Sequence, residues 1–521
     1  MHVTSAAVPR TMWSLSASTL DDAGQIQCRR RTRERNVIYI TRCIVAFTVC
    51  LFSLTVAAED AKMSPLDLLL EQNRDRYGIV GQALIVSHDG QVVYCGVDGI
   101  ADLASGAAVS GKHVFPVYSL SKLLVSALTM QLVEQRKVDV LLPASRYIPS
   151  LPLAWRNITV EQFLDHTSGV PEYFTTEEGR VVLPPGGFPA DADKLFASLA
   201  DVPLQFPAGT RTAYTQTNYV VLAALLSVHY KMPYARIAEQ RVFTRLGMRD
   251  SFLGRPNKGA RNVVTSYIGH GGHIEREEDV VWPDYAYGHA GLHLTLDDLH
   301  RLAQAMVSGE LVQRRTLDRM WQPAAHPDGT PGWFSGGWES GDIDGYRVVG
   351  HDGGAHVRLR ILFRGVPGTD TWIFAYLTNG SVRNVWSRVL VDSAMATVAP
   401  RRFPTATLSE GLIARATLQP FPRAVDWAED VRTHSSLEGD ALLRTVKRTA
   451  ESVRENMGIV PAIRISTLNT VLFPDSAETW QDLSQACASA GSAPDAGEAC
   501  RKSYEIERTV RPATPVKTET P

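Results

Sequence analysis

Near its start, the folded region shows a pattern that predicts a β-hairpin followed by a helix. Two apolar, β-branched runs lie within residues 83–102 on either side of Asp89-Gly90, a dipeptide typical of tight turns between paired strands. From Leu120 onward, apolar residues recur at close to helical spacing. We therefore predict a hairpin over 83–102 and a helix over 120–136 with a buried face.

Strands return late in the chain, after a long stretch of mixed helices and Gly/Pro-rich loops. Apolar runs at 346–349, 357–363 and 371–377 predict three of them. Ahead of these, Thr295 precedes an apolar helical pattern in the manner of a helix N-cap. Strands at both ends with helices inserted between them predict an α+β domain over residues 64–400.

Composition and charge narrow the class of protein. The 521 residues are 44% hydrophobic, with 53 Lys and Arg against 55 Asp and Glu. This balance argues against nucleic acid as a partner, because phosphate binding needs a basic surface. Six cysteines without a CxxC motif indicate neither a disulfide scaffold nor a structural zinc module.

The amino-terminal residues 1–58 are interpreted as a targeting segment. Residues 43–58 are mostly apolar and follow Arg42, but 16 residues are few for a spanning helix, which needs ~20. The small residues Val56-Ala57-Ala58 favour a cleaved secretory signal and an extracytoplasmic (periplasmic or secreted) protein. An uncleaved helix that anchors the chain is the alternative, and we hypothesise that translation starts near Val37.

One serine and one lysine at the start of the predicted helix are candidates for catalysis. Ser119 and Lys122 are three residues apart and therefore share a helix face. A lysine in a partly desolvated site can take the proton of a serine hydroxyl and make it a nucleophile. The alternative interpretation is an N-cap serine beside a solvated lysine.

Two later motifs complete an ordered set. Tyr214-Thr215-Gln216 precedes an apolar run, and His351-Asp352-Gly353 lies at the end of a predicted strand. Together with Ser119-x-x-Lys122, they resemble the signature of the serine β-lactamase and penicillin-recognising enzyme family, in its branch of class C β-lactamases, D,D-peptidases and esterases. The resemblance covers about residues 64–395. It implies a β-lactamase/transpeptidase-like fold, with an antiparallel sheet flanked by helices and a helical subdomain.

The resemblance also implies roles for individual residues. Ser119 would form an acyl-enzyme, Lys122 would accept its proton, and Tyr214 would shuttle protons with a phenol pKa lowered by the ammonium. The backbone N–H groups of Ser119 and Gly354 would form the oxyanion hole. Gln216, His351 and Gly353 would complete the substrate-binding and oxyanion positions. No metal and no cofactor is expected.

Two residues depart from the family pattern. Gln216 replaces an asparagine, which puts its contact with a substrate amide in doubt. Asp352 introduces a negative charge that would repel a substrate carboxylate unless His351, Arg358 or Arg360 compensates for it. These departures favour an ester or a D-amino-acid peptide as substrate over efficient β-lactam hydrolysis.

The sequence of the tail, residues 405–521, predicts a small all-α region with a disordered end. A 34-residue offset and the pattern Trp480-x2-Leu483 resemble tetratricopeptide repeats, and two generic helix pairs are the alternative. In that repeat Cys487 and Cys500 would face each other, so the resemblance implies a disulfide between them. Cys95, in the predicted hairpin, is interpreted as a buried thiol. The tail is also a candidate surface for a protein partner.

Other chemistries find little support. His270 and His273 with Glu275 are possible metal ligands in a loop-like stretch, but the spacing is weak evidence, and His166 is interpreted as a structural loop residue. The leading hypothesis is an exported serine hydrolase acting on a small ester, amide or D-amino-acid peptide. The alternatives are a β-lactamase or D,D-carboxypeptidase proper, and a catalytically weak sensor protein that keeps the fold.

Overall fold

The fold was analysed in a computed structural model. The structure describes residues 29–30, 63–177, 180–256, 262–270, 272–278, 280–354, 356–417, 422–437, 439–491 and 495–510. The strands are β1 (Arg29–Arg30), β2 (Gly81–His88), β3 (Gln91–Asp102), β4 (Ala107–Ala108), β5 (Val114–Pro116), β6 (Thr175–Glu177), β7 (Arg180–Val182), β8 (Phe252–Leu253), β9 (Tyr267–His270), β10 (His273–Arg276), β11 (Leu292–Thr295), β12 (Phe334–Ser335), β13 (Trp338–Ile343), β14 (Tyr346–Gly353), β15 (Val357–Phe363) and β16 (Trp372–Thr378).

The helices are α1 (Pro65–Tyr77), α2 (Ser121–Glu134), α3 (Val160–Leu164), α4 (Ala192–Ser198), α5 (Thr217–Tyr230), α6 (Tyr234–Ala238), α7 (Thr244–Leu246), α8 (Leu296–Val307), α9 (Arg314–Met320), α10 (Ser387–Val398), α11 (Pro404–Thr417), α12 (Pro422–His434), α13 (Gly439–Met457), α14 (Ile459–Leu472), α15 (Ala477–Ser489) and α16 (Ala496–Val510).

One large sheet organises the molecule. Its strands run in the order β1-β3-β2-β16-β15-β14-β13-β12, and β4 pairs with β3. The pairs from β3 to β12 are antiparallel, while β1 lies parallel to β3. Early strand β2 therefore lies beside late strand β16 at the centre, which confirms the predicted α+β arrangement.

The predicted hairpin and helices are confirmed, with local physical causes. Strands β2 and β3 are joined by Asp89 and Gly90, both with positive φ (47° and 81°), the combination that suits a two-residue hairpin turn. Helix α2 follows a single 3₁₀ turn, Tyr118–Leu120. Helix α8 begins after Thr295, whose side chain accepts a hydrogen bond from the N–H of Asp298.

Each face of the sheet buries its own core. On the front face, side chains such as Leu359 and Ile361 pack with helices α2, α5 and α8. On the back face, Leu362, Phe374 and Tyr376 pack with α1, α10, α11, α13 and α14. The first tail helices therefore share this second core, while Ile463 of α14 packs with Leu483, Ala490 and Ala496 in a separate small cluster of the tail.

The cysteines of the described region are partly as expected. Cys487 of α15 and Cys500 of α16 form a disulfide. Cys95 of β3 is buried as predicted, but its interpretation as a thiol is wrong, because it is disulfide-bonded. The apolar stretch 43–58 lies outside the described residues. Among the helices that the structure describes, none is both long and apolar enough to cross a membrane.

Candidate active site

Ser119 lies in the 3₁₀ turn that leads into α2, at the front face of the sheet. The preceding residue, Tyr118, has φ +46°, a left-handed conformation that is uncommon for a bulky side chain. Its hydroxyl donates a hydrogen bond to Glu277 Oε2 at 2.5 Å, a contact that helps to hold the turn. Such strained backbone is frequent at functional sites, and here it presents the partly exposed Ser119 side chain.

Lys122 is fully buried one helical turn further on. Its Nζ donates to Ser119 Oγ at 3.1 Å, to Gln216 Oε1 at 2.6 Å and to the backbone oxygen of His289 at 3.3 Å. The alternative of a solvated lysine beside an N-cap serine is therefore wrong. All three contacts are to uncharged acceptors.

Burial lowers the pKa of Lys122 well below its usual value, and the carboxylate of Glu172 opposes this shift. The charged form of a buried amine lacks the stabilisation that water would provide, and no carboxylate accepts a hydrogen bond from Lys122 Nζ among the contacts above. This cost of burial outweighs the attraction of Glu172. The neutral form of Lys122, which can accept a proton, is favoured at lower pH than for an exposed lysine.

Tyr214 approaches the same serine from a distant part of the chain. Its hydroxyl lies 2.8 Å from Ser119 Oγ, and Lys122 Nζ lies 4.8 Å from the centre of its ring. The expectation that an ammonium lowers the pKa of this phenol is wrong. Burial raises the pKa of Tyr214 above its usual value, although the hydrogen bond to Ser119 acts in the opposite direction. Tyr214 therefore meets the serine as a protonated phenol.

His166 supports the segment that carries Tyr214. Its buried ring packs at a tilt against the Tyr214 ring, with the ring centres 4.5 Å apart, and its Nδ1 accepts hydrogen bonds from the N–H of Thr215 (3.2 Å) and from Asn218 Nδ2 (3.0 Å). These contacts fix the loop between the phenol and helix α5. They give His166 a structural place beside the site.

Glu172 is a residue that the sequence did not single out. Its carboxylate accepts hydrogen bonds from the N–H of Gln216 at 2.7 Å and from the N–H of Tyr173 at 3.0 Å. It thereby positions Gln216, whose side-chain oxygen holds Lys122, and supplies a negative charge close to the amine. A glutamate in a loop has no sequence signal of its own, since its role depends on contacts 44 residues away.

His351 faces the site from strand β14. Its Nδ1 lies 2.6 Å from the backbone oxygen of Asp352, which can only accept, so Nδ1 carries the proton. Burial lowers the pKa of His351 to about 3, with Lys122 and Arg358 adding to the effect and Glu339 opposing it. His351 is therefore a neutral ring and contributes no positive charge to the site.

Gly353 is the last residue of β14 and Gly354 follows it, next to the turn that carries Ser119. A Cβ atom at Gly353 would lie 2.4 Å from the backbone oxygen of Val117 and 2.2 Å from Val357 Cγ2. Only glycine permits this close approach between the strand and the segment before the nucleophile candidate. Gly354 has φ +56°, which also favours glycine.

Asp352 points away from the site, since successive side chains of a strand alternate between the two faces. On the back face it accepts hydrogen bonds from Arg358 and, at 2.7 Å, from Arg388 of α10. Arg358 thus compensates for its charge, as one of the anticipated residues, while neutral His351 does not. The expected repulsion of a substrate carboxylate loses its basis.

The weak metal-site candidate is arranged as a hairpin. His270 and His273 are paired opposite each other on β9 and β10, and Glu275 forms an ion pair with Arg180. The carboxylate of Glu275, one of the three possible metal ligands, is thus paired with the guanidinium of Arg180.

A serine hydroxyl held between a buried amine and a phenol, on an antiparallel sheet flanked by helices, defines the class of serine hydrolases. The family model described as Beta-lactamase matches residues 66–390. The chain belongs to the beta-lactamase family, and the expected family and fold class are confirmed.

Relatives in this family have several names. Penicillin-binding protein 4 of Amycolatopsis lactamdurans is 27% identical over 354 residues, covering 64% of this chain and 89% of that protein. A D-aminopeptidase of Brucella canis is 25% identical over 279 residues, covering 52% of this chain and 51% of the relative, about half its length.

Solved structures show the same fold. D-amino acid amidase from Ochrobactrum anthropi, complexed with L-phenylalanine amide, has a TM-score of 0.54 and 18% identity over 65% of this chain and 99% of the other. The octameric penicillin-binding protein homologue from Pyrococcus abyssi has a TM-score of 0.54 and 19% identity, covering 67% and 81%.

Proposed function

We propose that the protein hydrolyses amide or ester bonds through an acyl-enzyme formed on Ser119. The observation that carries this proposal is the convergence of two groups on one oxygen: Lys122 Nζ at 3.1 Å and Tyr214 hydroxyl at 2.8 Å from Ser119 Oγ. Neither contact would be needed for a serine that only caps a helix.

In the acylation step, the neutral amine of Lys122 takes the Ser119 proton while Oγ bonds to the substrate carbonyl carbon. The bond to the leaving group then breaks, and the leaving group takes the phenol proton of Tyr214. The ammonium of Lys122 returns a proton to Tyr214, so the charges balance. Deacylation repeats these transfers with water in place of the leaving group.

The negative oxygen of the tetrahedral intermediate needs donors aimed at it. We assign this role to the backbone N–H groups of Ser119 and Gly354. The close approach of Gly353 to Val117 supports the assignment, because it brings the end of β14 against the serine segment. His351 and Gln216 would then border the bound substrate.

For the substrate we propose the amide of a D-amino acid or a short D-amino-acid peptide, with small esters as poorer analogues. The names of relatives, D-aminopeptidase and N-acetylmuramyl-L-alanine amidase of Bacillus subtilis, support amide chemistry. β-Lactam hydrolysis is a second candidate, because Asp352 is paired on the opposite face of the sheet and does not repel a carboxylate at the site.

A substrate panel tests the proposal. Purified protein is given D-amino-acid amides, their L-enantiomers, a p-nitrophenyl ester and a chromogenic cephalosporin. We expect turnover of the D-amides that Ser119→Ala abolishes. Equal turnover by wild type and Ser119→Ala would contradict the acyl-enzyme, and faster cephalosporin than amide turnover would make β-lactams the substrate class.

We further propose export of the protein, on the sequence of residues 43–58 alone. Strand β1 lies upstream of this stretch and pairs with β3 at Gly96 and Val97, so cleavage after Ala58 would remove it from the sheet. Amino-terminal sequencing of the protein recovered outside the cytoplasm decides between a cleaved signal and an uncleaved anchor.

The helical tail, α15 and α16 in particular, is proposed as the surface for a protein partner.

A further inference from the structure

A cavity lies on the back face of the sheet, apart from Ser119. It is a cleft of about 770 Å³ between strands β13–β15 and helices α10, α11 and α13. Gly341, Val348 and Gly350 line it, and a Cβ at Gly341 would meet no atom within 4 Å. The volume falls within the ~300–1,000 Å³ typical of small-molecule sites.

Six carboxylates and four guanidinium groups line this cleft. Three ion pairs lie along it: Arg358 with Glu339 (3.4 Å), Arg388 with Asp352 (2.7 Å) and Arg360 with Asp392. Three of the four guanidiniums thus have a carboxylate partner, and carboxylates outnumber guanidiniums in the lining, so the cleft disfavours an anion. A neutral polar ligand whose hydroxyl groups can donate to these carboxylates fits this lining.

Two hydrogen-bond donors at the cleft remain unused. The Nε atoms of Arg358 and Arg360 are buried, and neither has a hydrogen-bond partner within the part of the chain that the structure describes. Buried donors are normally paired, since an unpaired one loses its solvation without compensation. A ligand that offers carbonyl acceptors would satisfy them, and the hydroxyls of Ser340 and Ser452 line the same cleft.

Two tryptophans add flat apolar surface to this polar lining. Trp333 is 46% exposed and Trp386 is 41% exposed, although large aromatic side chains are usually well buried. An indole face can pack against an apolar ring face while the polar ring edge reaches neighbouring donors and acceptors. A neutral ligand with apolar ring faces, hydroxyl edges and carbonyl acceptors is an N-acetylated oligosaccharide.

We propose that this cleft binds a short N-acetylated oligosaccharide, with sugar rings on Trp333 and Trp386 and acetamido carbonyls toward Arg358 and Arg360. One aromatic ring separates Trp333 from the candidate active site: the ring of Phe334 lies 4.5 Å from that of Trp333 and 5.8 Å from that of Tyr214. The binding is independent of whether Ser119 performs catalysis.

The test is isothermal titration calorimetry of the full chain, as wild type and as Ser119→Ala, with the β-1,4-linked tetramer of N-acetylglucosamine. We expect saturable binding to both proteins, and weaker binding of cellotetraose, which lacks acetamido groups. Trp333→Ala and Trp386→Ala should each weaken binding about tenfold, equivalent to ~1.4 kcal/mol. Leu153→Ala, an exposed position outside the cleft, is the matched control and should bind as wild type.

Three results would overturn the proposal: no binding to the folded protein at millimolar concentration, unchanged binding by both tryptophan variants, or equal binding of cellotetraose. Circular dichroism of each variant shows that the fold is intact, which is expected because both indoles are half-exposed. If the oligosaccharide does not bind, the proposal of a serine hydrolase still stands. If Ser119 is not acylated, the proposal of an oligosaccharide-binding cleft still stands, so the two proposals fail separately.

Discussion

Replacing Gly353 by alanine is a sensitive test of how β14 meets the serine segment. The new Cβ would lie 2.4 Å from the Val117 oxygen and 2.2 Å from Val357 Cγ2, whereas real Cβ contacts do not fall below 3.0 Å. The strand end must therefore move by about 0.6–0.8 Å, the difference between these distances and that limit. Both neighbours belong to the packed core.

This shift should affect stability and rate differently. Overpacking of this kind costs about 1–3 kcal/mol of unfolding free energy. Displacement of oxyanion donors by close to 1 Å lowers reaction rates by as much as ~100-fold. Urea denaturation measures the first effect, and kcat/KM for a p-nitrophenyl ester measures the second.

Gly497→Ala is the matched control. No atom lies within 4 Å of a Cβ at this helical glycine, so its activity should equal that of wild type. Wild-type rate and stability in Gly353→Ala would refute the argument that close approach of β14 shapes the site. A loss of stability with an unchanged rate would refute the oxyanion assignment alone.

Three further predictions follow from the site and its reverse face. Since the amine of Lys122 must be neutral, the acylation rate should rise with pH through a pKa below that of an ordinary lysine. Glu172→Gln removes the charge that favours the ammonium and should move this rise to lower pH. Stopped-flow measurement of acylation against pH tests both expectations. Tyr214→Phe should lower kcat/KM by about 10²–10⁴-fold, as for a positioned acid–base group. Asp352→Ala should cost about 3 kcal/mol in urea denaturation, because the buried guanidinium of Arg358 loses a partner.

Each of these has a result that contradicts it. A rise at the pKa of an exposed lysine, or a shift to higher pH in Glu172→Gln, would show that burial does not control the amine. Activity of Tyr214→Phe within threefold of wild type would remove the phenol from proton transfer. An Asp352→Ala variant as stable as wild type would show that Arg358 is satisfied by Glu339 alone.

The sequence predicted the parts of the fold that depend on local pattern. The hairpin around Asp89 and Gly90 and the start of α8 at Thr295 follow from turn and capping chemistry within a few residues. Long-range consequences were not accessible. That helices α11 and α13 cover the back of the sheet depends on a shared core, which a short linker-like sequence at 399–404 does not reveal.

In the candidate site too, the sequence predicted local contacts correctly and long-range effects wrongly. The spacing of Ser119 and Lys122 indicated their contact, because it depends on one helical turn. The sign of the Tyr214 pKa shift was predicted wrongly, since burial raises this pKa and also favours the neutral form of the amine that was expected to lower it. Asp352 was misjudged because its strand position alone does not say which face carries Arg388.

The most direct test of the central claim is covalent labelling of the intact protein with a fluorescent phosphonate, followed by peptide mapping. We predict a single modified residue, Ser119, with labelling lost in Ser119→Ala and strongly slowed in Lys122→Met. Label on another residue, or undiminished labelling of the lysine variant, would contradict a nucleophile activated by that buried amine.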